Sequence, residues 1–266
     1  MKKNVFWNWF WIFISLVYFF IPLYATFNFS LKARKGELSL LAYQQMMEDP
    51  RILRSLIFST EIGLLTILLG LLLMVPTVYL VRLKAPRLRP VIEFISLLPF
   101  VIPAIVLVFG LIRTYSGGLL PLTNNYTGLN FLLIAGYVVI GLPYLYRSVD
   151  AGMSAIDVVT LTEAAQSLGA SWPTIMLRVI IPNLRSAMLG AAFLTLAIVL
   201  GEFTLATFLV GLKAFGPVIW QVGQNRAYEA SALVIVSFII TWVLMGLINF
   251  VGRRGAADGS VAAGPR

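Results

Sequence analysis

Apolar residues along the chain gather into six long runs, at residues 6–29, 55–81, 91–112, 129–146, 187–210 and 232–251, with polar segments between them. A hydrocarbon core of ~30 Å takes about 20 helical residues to cross, and each run is of that order. The pattern predicts an all-α, polytopic membrane protein with six transmembrane helices and both termini on one side. Gly136, Gly141 and Pro143 interrupt the fourth run, making it the weakest of the six. In the third run Pro99 and Pro103 stand four residues apart. They predict a broken helix that frees backbone carbonyls within the membrane, a device also used to build transporter sites; a kink for packing is the alternative.

The first run follows Lys2 and Lys3 and opens with Trp7, Trp9 and Trp11, which suit an interfacial belt. It is too long for the apolar region of a cleaved signal and ends without a small-residue cleavage site. The expectation is an uncleaved signal anchor, with residues 1–54 comprising this helix and the first external loop. Residues 55–251 form a five-helix core, and the Gly/Ala-rich stretch 252–266 is expected to be disordered.

Composition agrees with a lipid environment. Hydrophobic residues make up 59% of the 266 and charged residues 12%, against about 25% charged in soluble domains. There is no cysteine and no histidine, which removes disulfides, thiolate or imidazole metal sites, and His-based nucleophilic catalysis. No metal site and no catalytic residue is expected. The net charge of +9 would suggest nucleic acid in a soluble protein. In a membrane protein it is read through the loops that carry it. With the N-terminus inside, twelve of the 20 basic residues fall on the cytoplasmic side, among them Lys2, Lys3, Arg266 and the tight group Arg82, Lys84, Arg87 and Arg89. The predicted orientation is N-in/C-in. Lys32, Arg34, Lys35, Arg51 and Arg54 in the first external loop run against that bias.

The longest polar segment, residues 147–186, lies on the predicted cytoplasmic side. Ser154 and Asp157 resemble a helix start. Residues 155–168 are good helix formers, and Gly169 stands where a glycine would end that helix. Ser171 is placed to cap a second helix with Pro173 in its first turn. That helix is expected to run to about Ile180, with Pro182 marking the bend into the fifth span. The loop reads as a compact helix–turn–helix.

Within it stand Glu163-Ala164-Ala165, three residues, Gly169, nine residues, then Val179-x-Ile181-Pro182. This resembles the EAA signature (EAA-x3-G-x9-I-x-LP) of binding-protein-dependent ABC importer permeases, with Val179 and Ile181 as conservative departures. Pro143-Tyr144 before the loop and Gly201-Glu202-Phe203 after it add to the resemblance, which covers roughly residues 55–251. It implies a type I ABC importer permease core in a bacterial inner membrane. Glu163, Ala164, Ala165, Gly169, Val179, Ile181 and Pro182 would form the loop that docks on a cytoplasmic ATPase. Small side chains at Ala164 and Ala165 let a partner surface approach, and Gly169 permits the turn. Glu163 would meet a partner or pair with Arg178 or Arg185. The chain has no G-x-x-x-x-G-K-[ST] sequence to cradle ATP phosphates. No cofactor is therefore expected on this chain; ATP and Mg would sit on two copies of a partner ATPase. The resemblance further implies a second permease subunit, homologous or identical, and an external solute-binding protein. It is greatest to the smaller permease subunit of spermidine/putrescine importers, implying a polyamine substrate, with ferric iron, thiamine, phosphonate or an oxyanion as alternatives.

Two acids lie within apolar runs. Glu61 and Glu202 would stand at similar depth in the outer half if both helices are straight. Ionisable groups inside a bilayer are costly and usually face a cavity or a partner. They are candidates to line the substrate path with Phe203, Tyr144, Pro99 and Pro103, and weaker candidates are Asn183 and Arg113. A capping or interhelical hydrogen bond is the other reading of each glutamate. A secondary transporter without an ATPase is the rival class, although no inverted repeat is evident. An intramembrane enzyme is disfavoured by the absence of His, Cys and any convincing Ser/Lys or Asp pair.

Overall fold

The computed structural model describes residues 5–34, 36–117 and 120–261. Lys2, Lys3, Lys35 and Arg266, used above for orientation, lie outside them. The helices in chain order are α1 (Val5–Ser30), α2 (Leu41–Glu48), α3 (Pro50–Lys84), α4 (Arg89–Leu97), α5 (Ala104–Tyr115), α6 (Tyr126–Ala155) and α7 (Val158–Ser167). They continue with α8 (Trp172–Ile175), α9 (Ile181–Asn183), α10 (Arg185–Gly201), α11 (Thr204–Leu209), α12 (Phe215–Asn225) and α13 (Ala227–Val261). Among the described residues no strand forms beyond one isolated bridge between Arg34 and Glu37.

Three helices are long and apolar enough to cross a membrane: residues 9–30 of α1, all of α3 and all of α6. Two further spans arise if each of two bent pairs counts as one. One is α4 with α5, bent by 98°, and the other is the α8–α9 segment with α10, bent by 73°. The sixth expected run falls within α13, whose described apolar part is Ala227–Val243. That helix is continuous through Val261, so the disorder expected from residue 252 is replaced by helix up to that point. Extending an existing helix avoids the cost of nucleating one, which offsets the poor helix propensity of Gly252, Gly255 and Gly259.

The chain divides into two compact units, residues 1–54 with 218–242 and residues 55–217 with 243–266. In the first unit Phe29 stacks on Tyr228 at 4.7 Å between ring centroids, and Ser30 Oγ meets Tyr43 Oη at 2.8 Å. Asp49 precedes α3, accepts from the Arg51 backbone N–H at 3.0 Å and pairs with the Arg51 guanidinium at 2.7 Å. These contacts hold its carboxyl below the usual carboxylate range. Arg226 pairs with Glu229 at 3.1 Å.

The second unit has two apolar cores. One gathers Met74, Val78 and Tyr79 of α3, Leu145, Val149 and Met153 of α6, Val158 of α7, and Ile175, Met176, Ile180 and Leu184. The other joins Ile62 of α3, Val108 of α5, Leu132, Leu133 and Tyr137 of α6, Val199 of α10, and Leu205 and Leu209 of α11.

Helix α6 departs from expectation. The run expected to be interrupted is an unbroken helix of 30 residues. Asn125 starts it, its side chain accepting the Gly128 N–H at 2.6 Å. Gly136 is buried, and a Cβ there would collide with Leu205 Cδ2. A Cβ at Gly141 would lie 3.4 Å from Thr195 Cγ2. The glycines let neighbouring helices come close; they do not end the helix.

Candidate functional site

The loop 147–186 is a folded element. Helix α7 starts at Val158 rather than near residue 155, because α6 continues through Ala155. Ser154 is consequently no N-cap: it lies inside α6 and its Oγ donates to the Asp150 carbonyl at 2.9 Å. Asp157 sits between the two helices with φ of +43°, in the left-handed region, and its carboxylate accepts from Thr160 Oγ1 at 2.7 Å. Such a conformation is uncommon outside glycine, and Asp is among the residues that tolerate it.

The other end of α7 follows the expectation. Gly169 has φ of +78°. The Ala170 N–H reaches the Ala165 carbonyl at 3.1 Å and the Gly169 N–H the Gln166 carbonyl at 2.8 Å. This pair of bonds is the Schellman arrangement, which uses up the last carbonyls of a helix.

Ser171 precedes α8, but its hydroxyl meets Thr174 Oγ1 at 3.0 Å and bonds no backbone N–H. The segment then passes through a π-turn at Met176–Ile180 and reaches Asn183. The bend therefore falls at Leu184, two residues beyond Pro182. Proline has no N–H to give and disturbs the α ladder, and π-turns accommodate such irregularity. The Asn183 side-chain amide donates to the Val179 carbonyl at 2.7 Å.

The signature residues divide between two faces. Val179 and Ile181 pack on the apolar core beneath the loop, and Ala165 touches it. Glu163, Ala164, Gly169 and the large Leu168, Trp172 and Leu177 are exposed. Glu163 forms no ion pair with Arg178 or Arg185 among the described residues. The loop is tied to α3 by Tyr79, whose phenol meets Thr162 Oγ1 at 3.2 Å with both residues buried. What results is a rigid knob with a partly apolar outer face and a core-facing root.

The path candidates do not form one group. Phe100, between Pro99 and Pro103, packs edge-on against Tyr144 at 5.6 Å. The third run does break there, leaving Val101 78% exposed at the corner. Glu202 stands at a second break, between α10 and α11. Its carboxylate accepts the backbone N–H groups of Thr204 at 2.7 Å, Leu205 at 3.0 Å and Ala206 at 3.1 Å, and it also interacts with the phenol of buried Tyr137. This is the capping alternative: the carboxylate satisfies orphan donors at the start of α11. Phe203 is part of that turn and is 38% exposed. Glu61 is exposed on α3, on a face shared with Ile57, Leu64, Leu65 and Leu68.

A charged cluster at the ends of α3, α4 and α6 escaped the sequence reading. Arg82 Nε donates to Asp150 Oδ1 at 2.8 Å, and Arg89 Nη2 to Asp150 Oδ2 at 3.0 Å. In the sequence both arginines stand out only as orientation signals. The available cue was Asp150 itself, an acid just past the end of an apolar run.

Residues 66–255 match the family model of the binding-protein-dependent transport system inner membrane component, and the chain belongs to that family. Over 209 residues it is 27% identical to the spermidine/putrescine transport system permease protein PotB of Haemophilus influenzae, covering 72% of this chain and 70% of that one. Over 204 residues it is 28% identical to the putative 2-aminoethylphosphonate transport system permease protein PhnV of Salmonella typhimurium, covering 75% of each. A probable ABC transporter permease protein, y4fN of Sinorhizobium fredii, is 29% identical over 159 residues, and the match spans 58% of this chain but only 28% of that protein's length. Among solved structures, a bacterial ABC transporter involved in alginate import superposes with a TM-score of 0.72 at 15% identity, over 95% of this chain and 96% of that one. The MetNI methionine ABC transporter gives 0.60 at 19% identity, over 77% and 95%. The protein is thus a multi-pass membrane component of an ABC transport system with the importer permease fold, and its family is not a catalytic one.

Proposed function

We propose that this chain forms half of the translocation path of an ATP-driven importer and receives its driving force through the loop Glu163–Pro182 from a separate ATPase. In this reading the chain crosses the membrane six times with both termini in the cytoplasm. It pairs with a second permease subunit and meets an external solute-binding protein. The observation that carries the proposal is the rigid knob: Ala164 and Gly169 are outward, Leu168 and Trp172 offer apolar contact, and Val179 and Ile181 root the element in the core. A rigid element can pass on the displacement of a partner.

The test is to express the chain with its ATPase and binding protein and to introduce Gly169→Asp. The substitution strains the left-handed turn and puts a charged side chain on the exposed docking face, so uptake is expected to fall to background and the ATPase to dissociate during purification. Intact uptake, with no ATPase ever recovered alongside the chain, would overturn the reading.

A polyamine is the first substrate to test, supported by the spermidine/putrescine relatives. A second reading, a phosphonate or oxyanion, is favoured by exposed Lys32 and Arg34 between α1 and α2 and by exposed Arg54 in the second turn of α3, which would repel a polycation. The Glu202 carboxylate is engaged by three backbone donors and adds little to the polyamine case. Calorimetric titration of the binding protein with spermidine, 2-aminoethylphosphonate and molybdate separates the readings.

A further inference from the structure

The ion cluster around Asp150 lies beside the root of the loop, and its geometry suggests more than attachment. Asp150 and Arg82 are largely buried, with side-chain exposures of 16% and 18%, whereas Arg89 is half exposed. Arg82 also donates to the Asp150 main-chain carbonyl at 2.9 Å and to Ser154 Oγ. One carboxylate therefore holds guanidinium groups from two different helices, at the last turn of α3 and the first residue of α4. Charge-assisted, multiply bonded pairs of this kind fix orientation and are roughly twice as strong as neutral hydrogen bonds.

Five residues beyond Asp150, α6 ends, and the chain turns at Ile156 and the left-handed Asp157 into α7. Beyond that elbow Thr162 meets Tyr79, again on α3, through a longer neutral hydrogen bond of 3.2 Å. The last turns of α3 thus grip the chain on both sides of the elbow, strongly before it and weakly after it. Against the first grip and the elbow lies a cavity of about 280 Å³, lined by Arg82, Pro86, Arg89, Met153, Asp157 and Val158 among others. Open space therefore lies beside the elbow, and the tie beyond it is the longer, uncharged one.

We propose that Asp150, through Arg82 and Arg89, is the positioning residue that passes displacement of α7 to α3 and α4. The inference rests on the coupling role given to the loop under the proposed function. With Asp150 held, a push on α7 pivots at Asp157 and reaches both neighbouring helices together. With Asp150 released, α7 moves and the helices do not follow.

The experiment uses the complete transporter in proteoliposomes and measures substrate taken up per ATP hydrolysed. Asp150→Asn keeps an acceptor oxygen and removes the charge. ATP hydrolysis is expected to stay within about twofold while the transport-to-ATP ratio falls about tenfold, a factor typical of coupling between sites. Asp150→Glu should restore much of the ratio. Arg89→Gln, at the half-exposed partner, should lower it by about threefold and serves if the Asp150 variants fold poorly. A purely structural staple predicts instead that protein yield, hydrolysis and uptake fall together with the ratio unchanged, and that result overturns the proposal. Gly169→Asp run in parallel separates the two claims. If it abolishes uptake while Asp150→Asn and Arg89→Gln leave the ratio intact, only the positioning role fails. If Gly169→Asp leaves uptake intact, the coupling reading fails, and this inference with it.

Discussion

Helix α6 contains Gly136, Gly141 and Pro143 and runs unbroken for 30 residues, while the segment from Arg185 to Leu209, with no proline, breaks in two at Glu202. The difference lies in where backbone groups find partners. In α6 the proline leaves one carbonyl without its usual donor, the ladder continues on either side, and the glycines admit close neighbours. At Glu202 one side chain offers two carboxylate oxygens to three N–H groups that the break exposes. Inside a bilayer such groups have no water to turn to. Breaker residues permit a break; a partner for the freed donors stabilises it.

The largest expected effect is therefore at Glu202. Glu202→Ala strands three donors, each worth ~1–3 kcal/mol when buried unsatisfied. Unfolding in detergent should show a loss of about 3 kcal/mol or more, and Glu202→Gln, which keeps one acceptor oxygen, a smaller one. If Glu202→Ala unfolds no earlier than the parent, the carboxylate does not hold the break. If Glu202→Gln alters substrate affinity at unchanged stability, the path role regains its footing.

An intermediate effect is expected at Gly136. Gly136→Ala pushes a methyl group into Leu205 Cδ2, which costs ~1–3 kcal/mol where a packed core cannot give way. A double-mutant cycle with Leu205→Ala tests the cause. The pair should be less destabilised than the sum of the singles, and strict additivity would show that the contact is not responsible. The smallest effect belongs to Pro143→Ala. The helix is already continuous there, so stability should change by no more than ~1 kcal/mol and helix content should hold by circular dichroism. A loss of several kcal/mol would mean that the proline shapes α6 after all.

The two regions also show how far local chemistry is legible. The loop's glycine turn was readable because Gly169 acts within its own six-residue neighbourhood, and the Pro99–Pro103 break because two prolines deplete one stretch of donors. The α7 start was misplaced because Ser154 had two possible partners. In sequence it faced the next helix, and in space Arg82, 72 residues away, takes its oxygen. Glu202 read as a path residue because an acid in an apolar run signals function by default. The capping alternative involved donors only two to four residues on, but it required the helix to break, and Gly201 alone did not announce one, since Gly136 and Gly141 stand in an unbroken helix.

Composition and pattern alone determined that this is a helical membrane protein without thiol or imidazole chemistry, and the spacing from Glu163 to Pro182 pointed to its family. Those properties follow from period, length and local turn geometry, which neighbouring residues set among themselves. Tertiary structure decided which interrupted run stays whole, which acid becomes a cap, and that Arg82 and Arg89 share Asp150. These outcomes depend on which buried donors and charges meet across tens of residues, and the low dielectric of the interior makes each such meeting decisive.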